Sequence, residues 1–255
     1  MKIWQTWKSH DPATFHPYYT YCHPSWQKLH PDWDYQLLDD DEILEYCKKH
    51  FPAIYDRFKN LKKGIYRADL IRYMIMFIDG GLYADMDFLA LKNHTPLWEN
   101  AIKNNTSIVF GQLNNRNHLH RIPNAWMISV KPNELFWLLI LEMGLTLCEQ
   151  SANQVEACAG PIILLLAYNT YTDYKGNVEE LCYNFTKMFP NTNFNKSNIQ
   201  LLNPITIYPC DWTNPILLTH MRNWPDKQVP YDNIQKLCKD SYAITFWAHN
   251  WEQNT

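Results

Sequence analysis

The chain has 255 residues, enough for one α/β domain with a sizeable core, and its 46% hydrophobic and 19% charged residues exclude a disordered polymer. The formal net charge is −3, with 23 basic residues scattered among 26 acidic ones; no basic stripe is available to track a phosphate backbone, so nucleic acid is not an expected partner. No apolar run approaches the ~20 residues of a membrane helix, and the opening MKIWQTWKSH has neither the basic nor the apolar region of a secretory signal, so a cytoplasmic location without a membrane span is expected.

In chain order, residues 3–7 and 33–38 are short aromatic or β-branched runs bounded by polar residues and Pro, and read as strands. Between them, 24–30 reads as a short helical turn. Asp39-Asp40-Asp41-Glu42 then caps a helix running through Lys49. Residues 65–78 place apolar side chains at 70, 71, 74, 75 and 78, a helical period that stops at Gly80-Gly81. Only 7 glycines occur in the chain, so two together mark a sterically tight turn, from which a strand over 82–88 should follow. Strands at 107–111 and 125–130 and helices at 134–148 and 160–171 complete an alternation that favours an α/β layered domain. Beyond 171 the Asn- and Pro-rich sequence reads as loop, until a strand at 242–247 leads into His249 and Trp251. The seven cysteines are irregularly spaced without a C-x-x-C pair and read as reduced thiols.

The chemistry concentrates in Tyr83-Ala84-Asp85-Met86-Asp87. On a strand, residues two apart leave one face with Cα atoms about 7 Å apart, so the two carboxylates converge. Acids this close repel unless a cation lies between them, and manganese or magnesium favours such oxygen ligands. A bare D-x-D is common on solvated strand edges. Here it ends a strand launched from a Gly-Gly turn, where α/β sheets gather ligands, and it follows a helix bearing Asp69 and Arg72 three residues apart on one face. That pair is either an ordinary intrahelical ion pair or, beside a diphosphate sugar, a hydroxyl acceptor and an anion donor.

These stretches, with KIWQTW at 2–7, DYQLLDDDE at 34–42, RADLIRYMIMFIDGGLYADMDF at 67–88, PNAWMIS at 123–129, AGP at 159–161 and AHNW at 248–251, resemble glycosyltransferase family 32. That group contains a DXD sugar-binding region and includes initiating mannosyltransferases and capsular sugar transferases; clostridial glucosylating toxins are more distantly similar. Two departures stand out: Trp4 occupies a position where the family usually has His, and the Ser-Trp expected after the C-terminal His is absent.

The resemblance implies a GT-A type α/β sandwich as a single domain over 1–255. Residues 1–171 would form the nucleotide-sugar core and 172–255 an acceptor-side closing region. It implies Mn2+ or Mg2+ on Asp85, Asp87 and His249, a base stacked on Trp7, and Gln5 and Thr6 lining its pocket. Asp69 and Arg72 would contact sugar and phosphate, Tyr83 would support the ribose that Asp85 helps hold, Asn124 would face the sugar, and Trp251 would close over the site. The implied reaction is retaining transfer of a hexose from a UDP- or GDP-sugar to a hydroxyl on a glycan, protein or lipid. No second carboxylate in the motif stands across the sugar, so front-face attack is expected, with the leaving phosphate helping to accept the proton. A glycoside hydrolase is disfavoured because its two carboxylates flank the scissile bond from different directions. The remaining alternative is a nucleotide-sugar or glycan-binding module without turnover.

Overall fold

A computed structural model describes residues 1–113, 118–150, 154–207, 234, 236 and 238–246. The chain runs through β1 (Lys2–Thr6), α1 (Tyr19–Leu29), β2 (Asp34–Leu38), α2 (Asp40–His50), α3 (Tyr55–Lys59), α4 (Gly64–Ile78), β3 (Gly81–Ala84), β4 (Phe88–Ala90) and α5 (Thr95–Lys103). It continues with β5 (Ile108–Phe110), β6 (Trp126–Ser129), α6 (Leu135–Gln150), α7 (Val155–Cys158), α8 (Pro161–Asp173), α9 (Val178–Leu181), α10 (Tyr183–Thr186), β7 (Ile199–Leu201), α11 (Pro204–Ile207) and β8 (Ala243–Thr245).

The expected mixed α/β layering is present. Six strands form one sheet in the order β2-β1-β3-β6-β5-β7, in which β1 lies parallel to β2 and β3 while β6 runs antiparallel to β3 and β5. Alternation along the strands divides the core between the two faces of this sheet. Trp4, Tyr83, Phe110 and Met127 face helices α4 and α6, whereas Ile3, Leu82, Val109 and Ile128 face the layer that contains Trp26 and Trp33. Helix α4 is buried on nearly every side, with Leu70, Ile71, Met74 and Ile75 fully inaccessible, each contributing about 1.5–3 kcal/mol through burial.

Local chemistry accounts for the element ends. Asp39 accepts from the amides of Asp41 and Glu42 while the Glu42 carboxylate accepts from Asp39 N, a capping box that opens α2. Gly80 and Gly81, at φ +66° and +108°, turn the chain from α4 into β3. A Cβ at Gly81 would lie 2.8 Å from Lys2 O, which explains why no larger residue fits. Trp4 donates from Nε1 to Gly80 O at 3.0 Å and so fastens this turn to β1.

The structure corrects three expectations. Residues 24–29 are the second half of an eleven-residue helix, α1, that accommodates Pro24 internally and is capped by His30. The region beyond 171 contains short helices and a strand, β7, which pairs in parallel with β5. Most consequentially, 82–88 is not one strand. β3 ends at Ala84, Asp85-Met86-Asp87-Phe88 forms a turn closed by Phe88 N–H donating to Asp85 O at 3.0 Å, and β4 then leaves to pair with β8 in a second sheet. Tertiary pairing overrides the alternating pattern here, because β4 finds its partner in β8 rather than in β1 or β6.

Candidate active site

Because β1 and β3 are parallel, Thr6 and Ala84 end at the same edge of the sheet, and antiparallel β6 begins there. Trp7, Asp85 and the Asn124-Ala125 segment therefore meet, with the Asp85 amide donating to Ala125 O at 2.9 Å. The middle of α4 brings Asp69 and Arg72 to the same place. Together these groups line a cleft that also receives Asp87 and, from β8, Thr245.

Arg72 organises the centre. Its side chain is 5% exposed and forms ion pairs with Asp69 Oδ1 at 2.9 Å and Asp85 Oδ1 at 3.0 Å. It also donates to Asn124 O at 2.8 Å and Ala68 O at 3.2 Å, and its guanidinium lies 4.7 Å from the centre of the Tyr83 ring. Four of five guanidinium N–H groups are thereby engaged, and among the described residues the fifth has no partner, leaving it for a ligand oxygen. Burial works against its charge, yet Asp85, Tyr83 and Asp69 more than offset this and hold its pKa above the ordinary value.

The carboxylates differ in environment. Asp69 is buried, and its Oδ1 accepts from Arg72 and from Asn124 Nδ2, the latter at 2.9 Å. Burial pushes its carboxyl up to about 6; Arg72 opposes this and Asp85 reinforces it. Half-buried Asp85 accepts on Oδ1 from Tyr83 Oη at 2.9 Å as well as from Arg72, and burial raises its pKa against the pull of both. Asp87 is also half-buried, and its carbonyl accepts from Phe246 N at 3.1 Å, so the end of β8 lies against the acidic turn. Two carboxylates on one tight turn at a cleft offer the hard oxygen donors that Mn2+ or Mg2+ takes, with Asp85 Oδ2 directed to neither Tyr83 nor Arg72. Among the described residues, three ligand atoms close enough to share an ion occur at His10, Asp39 and Glu42, where Asp39 and Glu42 already serve the α2 cap.

Of the residues singled out in the sequence, Thr6, Trp7, Asp69, Arg72, Asp85, Asp87 and Asn124 all line the cleft. The Trp7 ring meets Tyr19 edge-on at 4.7 Å, and its Nε1 donates to Thr14. Tyr83 stands behind Asp85 and shares a 2.9 Å hydrogen bond with Thr6 Oγ1. Gln5 does not line the cleft: fully buried, it donates to Ala84 O and Asp85 O and accepts from Tyr35 Oη, shaping the backbone under the acidic turn. His249 and Trp251 lie outside the described residues. Sequence reasoning missed His120 and Glu156, which also line the cleft and pair at 3.1 Å. Only the nearby AGP stretch hinted at that wall.

Comparison with known proteins finds similarity to glycosyltransferases. Residues 17–108 match the family described as "Glycosyltransferase sugar-binding region containing DXD motif". The chain is 33% identical over 100 residues to the initiation-specific alpha-1,6-mannosyltransferase of Saccharomyces cerevisiae, a match covering 36% of this chain and 20% of that protein. Its Candida albicans counterpart is 33% identical over 94 residues, covering 35% and 24%. The matched segment thus spans about a fifth to a quarter of these relatives. Among solved structures, the PaToxG glycosyltransferase aligns with a TM-score of 0.49 at 13% identity, covering 73% of this chain and 74% of that one. The matched stretch runs from α1 through α5 and holds the Gly-Gly turn and the acidic pair, so the part of this chain that is similar to the DXD-containing sugar-binding region is the part that builds one side of the cleft.

Proposed function

We propose that this protein is a metal-dependent, retaining glycosyltransferase of GT-A type that moves a hexose from a UDP- or GDP-sugar to a hydroxyl of a glycan, protein or lipid. The observation that carries this reading is the continuous network Thr6–Tyr83–Asp85–Arg72–Asp69–Asn124, set beside Asp87 at the shared carboxyl ends of β1 and β3. It combines oxygen ligands for a cation, a fixed guanidinium and a half-engaged carboxylate within one cleft.

Each side chain has a task suited to its contacts. Asp85 and Asp87 would hold Mn2+ or Mg2+, which when bound neutralises charge on the departing nucleoside diphosphate. Trp7 offers its ring to the base beside Thr6. The remaining N–H of Arg72 binds a phosphate or sugar oxygen, while Asp69 Oδ2 accepts from a sugar hydroxyl and Asn124 borders the same sugar. Tyr83 fixes Asp85 on the ribose side. His249 and Trp251 would complete the diphosphate site, with 1–171 binding the donor and 172–255 closing the acceptor side. Retention proceeds by front-face attack, the acceptor proton passing to the leaving phosphate.

The test is hydrolysis of UDP-glucose, UDP-galactose and GDP-mannose with Mn2+, followed by NMR of the released sugar. Turnover of at least one donor, lost in EDTA and restored by Mn2+, is expected, with the product first appearing in the donor's own anomeric form. Asp87→Asn should lower turnover by roughly 100-fold or more with an unchanged melting temperature, since a neutral amide is a poorer ligand. Turnover indifferent to EDTA and to this substitution would remove the metal site, and an inverted first product would remove retention.

A further inference from the structure

The cleft has a second charged wall that the donor reading leaves unused. Glu156 on α7 and His120, in the segment before β6, both line it and are in polar contact, His120 Nε2 lying 3.1 Å from Glu156 Oε2. They are 36 residues apart in sequence and belong to different elements. Their side chains are 40% and 21% exposed, in contrast to the sealed Asp69–Arg72 pair at 8% and 5%, so a ligand can reach them. Glu156 lies close enough to Asp69 for its charge to help raise the Asp69 carboxyl. The polar groups therefore run in order from Thr6 through Asp85, Arg72 and Asp69 to Glu156 and His120.

The backbone is shaped to keep Glu156 there. A Cβ added to Gly160 would lie 2.8 Å from Glu156 Cα and 3.2 Å from Glu156 O, so only glycine lets α7 fold back against the start of α8. That gives the AGP stretch a physical role: it holds Glu156 on the cleft wall. Among the described residues, no hydrogen bond engages Glu156 Oε1 or His120 Nδ1, which leaves a carboxylate oxygen and an imidazole nitrogen at the cleft with capacity for a ligand that has hydroxyl groups. A carboxylate steadied by an imidazole binds vicinal hydroxyls through charge-assisted hydrogen bonds and rejects an anionic ligand.

We propose that Glu156, oriented by His120, binds the hydroxyls of a neutral sugar acceptor and sets it against the donor held at Asp69 and Asp85. This rests on the glycosyltransferase reading above and adds the acceptor class and its site. His120 is a positioning residue acting through Glu156.

The experiment measures donor hydrolysis and transfer separately, using the donors above with methyl α-mannoside, methyl α-glucoside and methyl β-galactoside as acceptors, alongside saturation-transfer NMR of each glycoside. Glu156→Gln should raise the acceptor KM about 10-fold or more, the worth of a charge-assisted bond, and weaken the NMR signal in parallel. Hydrolysis without acceptor should change several-fold less than the acceptor KM does, as the donor is held at Asp69, Arg72 and Asp85 and feels Glu156 only through its charge near Asp69. His120→Ala should act in the same direction, with partial recovery in His120→Gln, whose amide can restore the bond to Glu156. Equal acceptor KM in wild type and Glu156→Gln, or donor hydrolysis by wild type without binding or transfer to any of the three glycosides, would overturn the acceptor site while leaving the donor reading intact. A wild type that hydrolyses none of the nucleotide sugars would overturn both.

Discussion

Tyr83 shows how much one side chain decides in this cleft. Its hydroxyl bonds both Thr6 and Asp85, and its ring lies against Arg72, so it sets the orientation of a proposed metal ligand without facing the cleft itself. Tyr83→Phe keeps the ring and deletes only these bonds; turnover should fall roughly 10-fold with donor KM rising less, while the melting temperature barely moves. Loss of folding instead would make Tyr83 a core residue first. Asp85, Asp87, Asp69 and Arg72 were legible in the sequence because short spacings bring them together on one turn and one helix face. Gln5 was singled out for the pocket, but its role under the acidic turn was not legible, since its three partners lie 30 to 80 residues away, and Glu156 and His120 were missed because their meeting depends on how α7 and the approach to β6 pack. Removing Arg72 outright is a poor probe, since it leaves buried Asp69 without its ion-pair partner, at a cost of about 3–5 kcal/mol.

At the scale of elements, the helix, Gly-Gly turn and strand from 64 to 84 were legible because an uninterrupted apolar period ends at two residues that can adopt positive φ. The turn at the acidic pair was not. Its alternating residues fit a strand, and the break arises only because β4 pairs with β8, far along the chain. For the same reason β7 escaped notice: three residues after an Asn-rich stretch form a strand only because β5 offers them a parallel edge. Gly81→Ala should destabilise the fold by about 1–3 kcal/mol in urea unfolding, because it combines an unfavourable φ with a Cβ 2.8 Å from Lys2 O. An unchanged midpoint would show that β1 yields and that the turn is not the rigid lever aiming β3.

Across the whole molecule, the two sheets meet through a buried imidazole. Fully buried His94 packs between Trp26 and Trp126 on one side and Tyr242, next to β8, on the other, and its amide donates to His30 Nε2. Burial, with repulsion from His30, holds its pKa well below the ordinary 6.5, and burial lowers His30 too. A proton on His94 Nε2 would find no acceptor among the described residues. Below pH 6.5 the unfolded chain therefore binds protons that the fold refuses, and stability is lost as pH falls toward the folded values. The raised carboxyls of Asp69, Asp85 and Glu134 work in the opposite direction, so the contrast between variants isolates the histidine. His94→Asn should show a smaller fall in urea midpoint between pH 7.5 and 5.5 than wild type; an equal fall would place the acid sensitivity elsewhere.

The same arrangement of sheets brings β1, β3, β6 and β8 around one acidic turn, and the proposed chemistry depends on that turn binding a cation together with a nucleotide. Calorimetric titration of UDP and GDP, each with and without Mn2+, tests this most directly. A cation shared by Asp85 and Asp87 should tighten one nucleotide about 10-fold or more in the wild-type protein, and Asp87→Asn should abolish that gain without altering metal-free affinity. Nucleotide affinities that are the same with and without Mn2+, or a metal-dependent gain that survives in Asp87→Asn, would contradict it.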